Sequence, residues 1–186
     1  MSLVRLRTAN LLVAALGLLA SGCAGGSDAK PTTLPSLTAT PSASTSAAVI
    51  PTPARAHTPQ GAAAFVRFYF VQVNKAFTTA DPGSLAALSD PECSSCRNYI
   101  ATAEKFRSDG RHIRGVAVRV ISAEAPPEES GFIAVDAFLD APSRDIVTFD
   151  GTLIEHLPPD PTYHRTVFVK MVSSGWTVRA VKKLDS

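Results

Sequence analysis

The chain has 186 residues, of which 18 are Lys or Arg and 16 are Asp or Glu, and its formal net charge is +2. Two of the basic residues, Arg5 and Arg7, lie at the amino terminus, so the rest of the chain is close to neutral. Because no segment clusters Lys and Arg, we expect no nucleic acid partner.

Residues 1–22 have the pattern of a secretory signal peptide. A basic start, MSLVRLR, precedes the apolar run LLVAALGLLA, and small residues follow it. Such a run is too short to cross a bilayer as a helix, which takes about 20 residues. We therefore expect residues 1–22 to direct export and to be absent from the folded domain.

The stretch LASGC, which ends at Cys23, resembles the lipobox of bacterial lipoproteins. The resemblance implies that Cys23 becomes the first residue of the mature chain and carries acyl chains such as palmitate. An ordinary secreted protein with a free Cys23 is the alternative. Two or more acyl chains would hold the protein on the extracytoplasmic face of the cell membrane.

Residues 23–56 contain no aromatic side chain and are dominated by Ser, Thr, Pro and Ala. This composition buries too little apolar surface to offset the entropy of ordering the chain. We therefore expect the lipidated cysteine and a disordered tether over residues 23–56. A single globular domain then occupies residues 57–186.

Three helices are predicted in the first half of this domain. A capping residue directly precedes proline three times, at Thr58-Pro59, Asp81-Pro82 and Asp90-Pro91. After the first start, apolar residues recur at helical spacing, with Arg67, Asn74 and Lys75 toward water. That apolar stripe comprises Ala62, Val66, Tyr69, Val73 and Phe77. The third helix carries a similar stripe of Cys96, Tyr99, Ile100, Ala103 and Phe106, and Gly110 is suited to end it.

The second half of the domain alternates apolar and polar residues, which is typical of strands. Strands are predicted over residues 116–121, 132–139, 166–172 and 176–181, with a short pair about Asp150-Gly151. Trp176 is expected in the core. Helices followed by antiparallel strands indicate an α+β domain. We predict three amino-terminal helices packed on one curved antiparallel sheet of four or more strands.

This order of elements, closing on SGWTVRAVKKL, resembles the nuclear-transport-factor-two-like cone fold. The segments HTPQGAAAFVRFYF, LSDPECSSCRNYI and GWTVRAV are similar to a family of actinobacterial lipoproteins known as a domain of unknown function. That resemblance covers residues 57–186. It implies an architecture and a cysteine pair, and it implies no mechanism.

Cys93 and Cys96 have the spacing of a thiol–disulfide centre. If Asp90 caps the third helix, their Cα atoms lie about 5 Å apart, within the range of a disulfide, and export favours the oxidised form. We predict a structural disulfide. Thiol exchange is one alternative, since a helix amino terminus lowers the pKa of a thiol. A metal site is another, although no second cysteine or histidine pair completes four ligands.

Other candidate chemistry is sparse. The four histidines, His57, His112, His156 and His164, belong to no nucleophile or metal motif and are expected on the surface. Asp136 shares one side of a predicted strand with Phe132, Ala134 and Phe138. It is a candidate general base on the concave face of the cone, or a solvated residue. We expect no metal and no cofactor.

The sequence therefore suggests three functions. The first is a binding or scaffolding module of the cell envelope, anchored through Cys23, with a protein partner and no enzymatic activity. The second is a carrier or sensor of a small apolar ligand in the cone cavity, lined by aromatic residues such as Tyr69 or Phe138. The third is a thiol-exchange enzyme that uses Cys93 and Cys96.

Overall fold

The computed structural model of the protein describes residues 48–127 and 131–183. Three α-helices occupy the first half: α1 Pro59–Thr79, α2 Gly83–Leu88 and α3 Ser94–Ser108. Helix α1 begins as predicted, because the Thr58 hydroxyl accepts a hydrogen bond from the Gly61 amide at 3.0 Å and Pro59 occupies the first helical position. It ends at Ala80, in the left-handed conformation.

Residues 48–56, which the composition assigned to the tether, pack on the domain. A 3-10 turn covers Thr52–Arg55, and Ala54 within it is buried. The indole of Trp176, itself a core residue as predicted, donates a hydrogen bond to the Ala56 carbonyl at 3.0 Å. A Cβ atom on Gly61 would lie 2.0 Å from that carbonyl oxygen, so only glycine fits at this close approach. The folded unit therefore includes residues 48–56.

In the described residues, seven strands follow the helices: β1 Arg111–Arg114, β2 Arg119–Glu124, β3 Ile133–Ala141, β4 Arg144–Thr148, β5 Leu153–Leu157, β6 Asp160–Val172 and β7 Gly175–Lys183. They form two antiparallel sheets, ordered β1-β4-β5 and β2-β3-β6-β7. The chain is α+β, but the prediction of one curved sheet was wrong. The short strand β1 was not predicted, and the strand expected from Val116 begins at Arg119.

Each sheet contains one half of two longer strand pairs that are interrupted: β1–β4 continues β2–β3, and β4–β5 continues β3–β6. Arg114 of β1 pairs with Asp145 of β4, and Arg119 of β2 pairs with Asp140 of β3. Arg119 lies five residues after Arg114, and Asp140 lies five residues before Asp145, as an uninterrupted antiparallel pair would require. The register is therefore the same on both sides of the break. The breaks fall at residues 115–118, 142–143 and 158–159, and the last two contain Pro142, Pro158 and Pro159. Proline has no amide to donate to a ladder, so these residues divide the predicted single sheet into two.

The main core lies between the helices and the four-stranded sheet. Helix α1 contributes the stripe predicted from its spacing, and β3, β6 and β7 contribute apolar residues from the facing side of the sheet. The largest fully buried side chains include Phe65, Tyr69, Phe70, Leu85, Ile133 and Leu139. A smaller cluster of Ala80, Phe106, Ile113, Ala117 and Ile146 packs beneath the three-stranded sheet.

Asn74, which was predicted to face water, instead holds the loop before β2. Its side-chain Oδ1 accepts hydrogen bonds from the amides of Ala117 and Val118, both at 2.9 Å, and its Nδ2 donates to the Val118 carbonyl. The residue is half-buried in α1. One side chain therefore satisfies three backbone groups at the free edge beside β2.

We expect Asn74→Ala to lower the free energy of unfolding by about 2 kcal/mol, because backbone groups left without partners at a partly buried site each cost about 1–3 kcal/mol. Urea denaturation measures this. The control is Lys75→Ala, at the exposed neighbouring position on α1. Equal denaturation midpoints for the two variants would show that Asn74 does not hold the loop.

Candidate functional site

Cys93 and Cys96 form the predicted disulfide, with their Cα atoms 5.2 Å apart. The prediction that Asp90 caps helix α3 was wrong. Cys93 is the N-cap, and its sulfur accepts a hydrogen bond from the Cys96 amide at 3.2 Å. Asp90 instead forms the preceding turn, where its carboxylate accepts from the Glu92 amide at 2.9 Å. The disulfide therefore spans the helix start.

This helix start is attached to the free edge of β7. The Asp90 amide donates to the Val178 carbonyl at 2.9 Å, and the Ser95 hydroxyl donates to the Val181 carbonyl at 2.8 Å. Arg179 on β7 pairs with Asp90 at 2.7 Å. The Glu92 amide and the Arg179 guanidinium hold the pKa of Asp90 below its usual range. The disulfide fixes the segment that covers this sheet edge.

Both cysteines are buried, with 1% of Cys93 and none of Cys96 exposed. Thiol exchange requires an attacking thiolate to reach a sulfur atom along the disulfide axis. Neither sulfur of this disulfide is accessible for such an attack in the described part of the chain, which favours the structural interpretation.

We expect Cys93→Ser/Cys96→Ser to lower the free energy of unfolding by about 2 kcal/mol, since the closed loop is short. Serine at position 93 is also a good N-cap, so the double variant keeps the capping interaction. Urea denaturation measures the loss, and the reduced wild-type protein, which adds no hydroxyl at the buried position 96, isolates the contribution of the covalent bond. Complete unfolding of the variant would mean that the disulfide holds the whole domain.

The space predicted for an apolar ligand is filled by side chains. Phe65, Tyr69 and Phe70 on α1 have at most 2% of their surface exposed and pack against the inner face of the four-stranded sheet. The Tyr69 hydroxyl lies 3.4 Å from the Ser89 hydroxyl, so its polar end has a partner inside the domain. Tyr69 is therefore a core residue, and the packing here counts against a carrier with a ligand in the cone.

Burial of the tyrosines generates a prediction for alkaline pH. Desolvation raises the pKa of Tyr69 far above its usual value of 10, and raises the pKa of Tyr99 to about 12. Folding thus favours the neutral phenols, so their contribution to stability is complete below pH 10 and is lost at higher pH, for Tyr99 as the pH rises through about 12.

We expect little phenolate absorbance from the native protein at pH 10, and full absorbance after denaturation. The control is Tyr99→Phe, which should remove one late step from the titration. Ionisation of Tyr69 and Tyr99 near pH 10 in a protein that remains folded would mean that water reaches the interior.

Asp136 lies on the open face of the four-stranded sheet and not on the helix-covered face. In β3, Ile133, Val135, Ala137 and Leu139 face the helices and are buried. Asp136 and Phe138 point the other way and are exposed. The predicted grouping of Asp136 with Phe132, Ala134 and Phe138 is observed, and of the two alternatives for Asp136 the structure agrees with the solvated residue and not with an acid on the helix-covered face. The alternation of a strand defines two faces without saying which one the helices cover.

A small polar group surrounds Asp136 on this face. Its Oδ1 accepts a hydrogen bond from the Thr166 hydroxyl at 3.1 Å. The His164 Nε2 lies 3.3 Å from the same oxygen, at ion-pair distance but without hydrogen-bond alignment. The His164 ring stacks on Phe138 at 4.6 Å. Thr166 bonds to the carboxylate and not to the histidine, so the group lacks the nucleophile–base contact of a catalytic triad.

Three phenylalanines on adjacent strands share this open face: Phe132, Phe138 and Phe168. We call them, with the polar group of Asp136, His164 and Thr166, the aromatic face. Phe132 and Phe138 are 39% and 44% exposed. Lys170 lies over the Phe132 ring at 5.7 Å, and Lys182 lies over the Phe168 ring at 5.1 Å. The sequence placed each of these residues in a predicted strand, but only the pairing of β3, β6 and β7 shows that they lie side by side.

The remaining histidines are dispersed. His57 lies beside Trp176, with ring centroids 6.2 Å apart, and His112 stacks on Phe149 at 5.8 Å. The His156 Nδ1 lies 2.7 Å from the Asp145 carboxylate. Across residues 48–127 and 131–183, no three His, Cys, Asp or Glu side chains converge as a metal site.

Cys23, the signal peptide over residues 1–22 and the tether up to residue 47 lie outside the described residues, so the lipid anchor stays a prediction. In the described part of the chain, the helices are too short or too polar to span a bilayer.

A family model described as "Family of unknown function (DUF6318)" matches residues 41–180. No curated protein matches the chain in sequence. The match thus covers the aromatic face and the disulfide, and it attaches no activity to them.

Solved structures resemble the domain at low sequence identity. The intermembrane space region of the chloroplast protein ARC6 has a TM-score of 0.53 at 16% identity, over 69% of this chain and 97% of that chain. The protein Aln2 from a Streptomyces species has a TM-score of 0.42 at 14% identity, over 64% and 89%. A protein of the NTF2-like family from Streptomyces avermitilis has a TM-score of 0.38 at 12% identity, over 69% and 100%. The likeness to the ARC6 region shows a shared fold and nothing more, and we draw no conclusion from the two lower TM-scores.

Proposed function

The chain belongs to DUF6318, a family of unknown function. We propose that this protein is a lipid-anchored binding module of the cell envelope. Its lipobox-like LASGC would anchor it through Cys23, and the Ser/Thr/Pro/Ala-rich tether would hold the domain away from the membrane surface. The domain would then bind a second envelope protein.

The aromatic face carries this proposal. An antiparallel sheet with one solvated face ordinarily presents polar residues to water. Here Phe132 and Phe138 are exposed on the open face, and no helix of the described chain covers them. Aromatic side chains are enriched at protein interfaces and often supply most of the binding energy.

The polar residues around these rings fit an interface better than an enzyme site. Asp136 and His164 lie beside Phe138, and Lys170 and Lys182 lie over the neighbouring rings. Charged groups of both signs at the margin of an apolar patch fix the orientation of a partner. The filled interior leaves the outer surface as the place for recognition.

Site-specific photocrosslinking in living cells tests the proposal. With a photoreactive amino acid at Phe138 of the full-length protein, we expect a discrete adduct with another envelope protein. Adding Phe132→Ser should reduce the yield about tenfold or more, because truncating a central aromatic at an interface often costs over 2 kcal/mol. The control position is Glu104, exposed on α3, which should give no such adduct.

A Cys23→Ala variant separates anchoring from recognition. We expect this variant in the soluble fraction, and we expect the adduct at Phe138 to be lost because the partner lies at the membrane. Equal crosslinking from Phe138 and Glu104 would contradict the proposal. So would an adduct that contains only two copies of this chain, which differently tagged copies would reveal.

A further inference from the structure

The free edges of the two sheets differ in how they are covered. On one side of the domain, the β7 edge is covered by the Asp90 amide and the Ser95 hydroxyl. On the other side, Asn74 satisfies Val118, and Arg67 donates to the Ala123 carbonyl of β2 at 3.4 Å. Natural sheets protect their edges in such ways because an open edge invites another strand.

Strand β5 has no such side-chain or backbone cover, and a bulge lies in it between Leu153 and Glu155. It is the outer strand of the three-stranded sheet, and β4 is its one partner there. Four of its five residues are exposed, including Leu153 at 54% and Ile154 at 48%. Among the described residues, no side chain outside its own sheet bonds to its backbone. Since β5 continues into β6 across Pro158-Pro159, its open edge lies on the side where β7 pairs with β6.

We propose that the outer edge of β5 binds an extended segment of another polypeptide that carries a basic residue opposite Glu155 and an apolar residue opposite Leu157. Glu155 is exposed at the centre of β5, and it forms no ion pair within the described part of the chain. Its neighbour across the sheet is Ile146, an apolar residue. A cation on an added strand would therefore supply its first charged partner.

The apolar position follows from the register of β5. Leu157 pairs with Arg144 and Glu155 pairs with Ile146, so Leu157 and Glu155 lie on one face of the strand. Leu153 pairs with Val147 beyond a bulge and lies on the other face. An apolar residue opposite Leu157 would pair as cross-strand neighbours do in a regular sheet. Main-chain hydrogen bonds give such an added strand its affinity, and these side chains give its specificity.

A second copy of β5 fits this edge poorly. Two copies paired antiparallel about the centre of β5 would place Glu155 opposite Glu155, and like charges in direct opposition destabilise a sheet. A shift by two residues would instead place Glu155 opposite Leu153 or Leu157. The charge pattern thus favours a different, basic partner strand. This inference is independent of the aromatic face, which belongs to the other sheet.

Amide chemical shifts of the full chain, titrated with synthetic peptides, test the inference. The probe is an acetylated and amidated peptide of sequence TVTKTVT, and its counterpart TVTETVT carries the opposite charge. We expect shifts of residues 153–157 with the lysine peptide and binding weaker by roughly fivefold or more with the glutamate peptide. Glu155→Lys should reverse that preference.

The matched control is Glu124→Lys, which reverses an exposed carboxylate on β2 and should leave the preference for the lysine peptide unchanged. Phe138→Ser should also leave it unchanged, which separates this site from the aromatic face. The inference is overturned if the lysine peptide does not bind, if it shifts other residues only, or if Glu155→Lys keeps the original preference. Concentration-dependent shifts of β5 without peptide would assign the edge to a second copy and would also overturn it.

Discussion

The packing of α1 onto the inner face of the four-stranded sheet is the interaction on which the rest of the structure depends. Phe65, Tyr69 and Phe70 fill the space between helix and sheet, where Leu139 and other strand residues meet them. Burying each large apolar side chain contributes about 1.5–3 kcal/mol, so together they outweigh the short disulfide loop. Because this packing closes the interior, the proposed partner would bind on the outside of the domain.

The prolines that divide the sheets determine what the outside presents. At Pro142 and at Pro158-Pro159 the strand ladders stop and then resume in the same register. One half of each long strand pair lies in the four-stranded sheet, whose outer side is the aromatic face. The other half forms the three-stranded sheet and leaves the edge of β5 open. Two separate surfaces thus arise from one meander of strands.

Sequence reasoning succeeded where a local signal determines the structure. Thr58-Pro59 marks the start of α1, and the spacing of its apolar residues identifies its buried stripe. The turn at Asp150-Gly151 was likewise predicted, with Gly151 at a φ of 91°. The cysteine pair followed from its spacing and from the expected export, and the two sulfurs are bonded in the structure.

The errors concern choices that depend on the tertiary structure. Asn74 has the polarity of a surface residue, and its role exists only because the loop at Ala117 passes beside it. Strand β1 is short and rich in charge, so its alternation is too weak to recognise. For β3 the alternation was correct, yet it could not say which face the helices cover. The strand residues of the aromatic face could therefore be predicted from the sequence, but their exposure together on one surface could not.

Crystals of the protein held under xenon pressure test the closed interior most directly, because xenon enters apolar cavities that water leaves empty. We predict no xenon between Phe65, Tyr69 and the inner face of β3. A well-occupied xenon atom there would contradict the account, since it would show a cavity able to hold an apolar ligand within the domain.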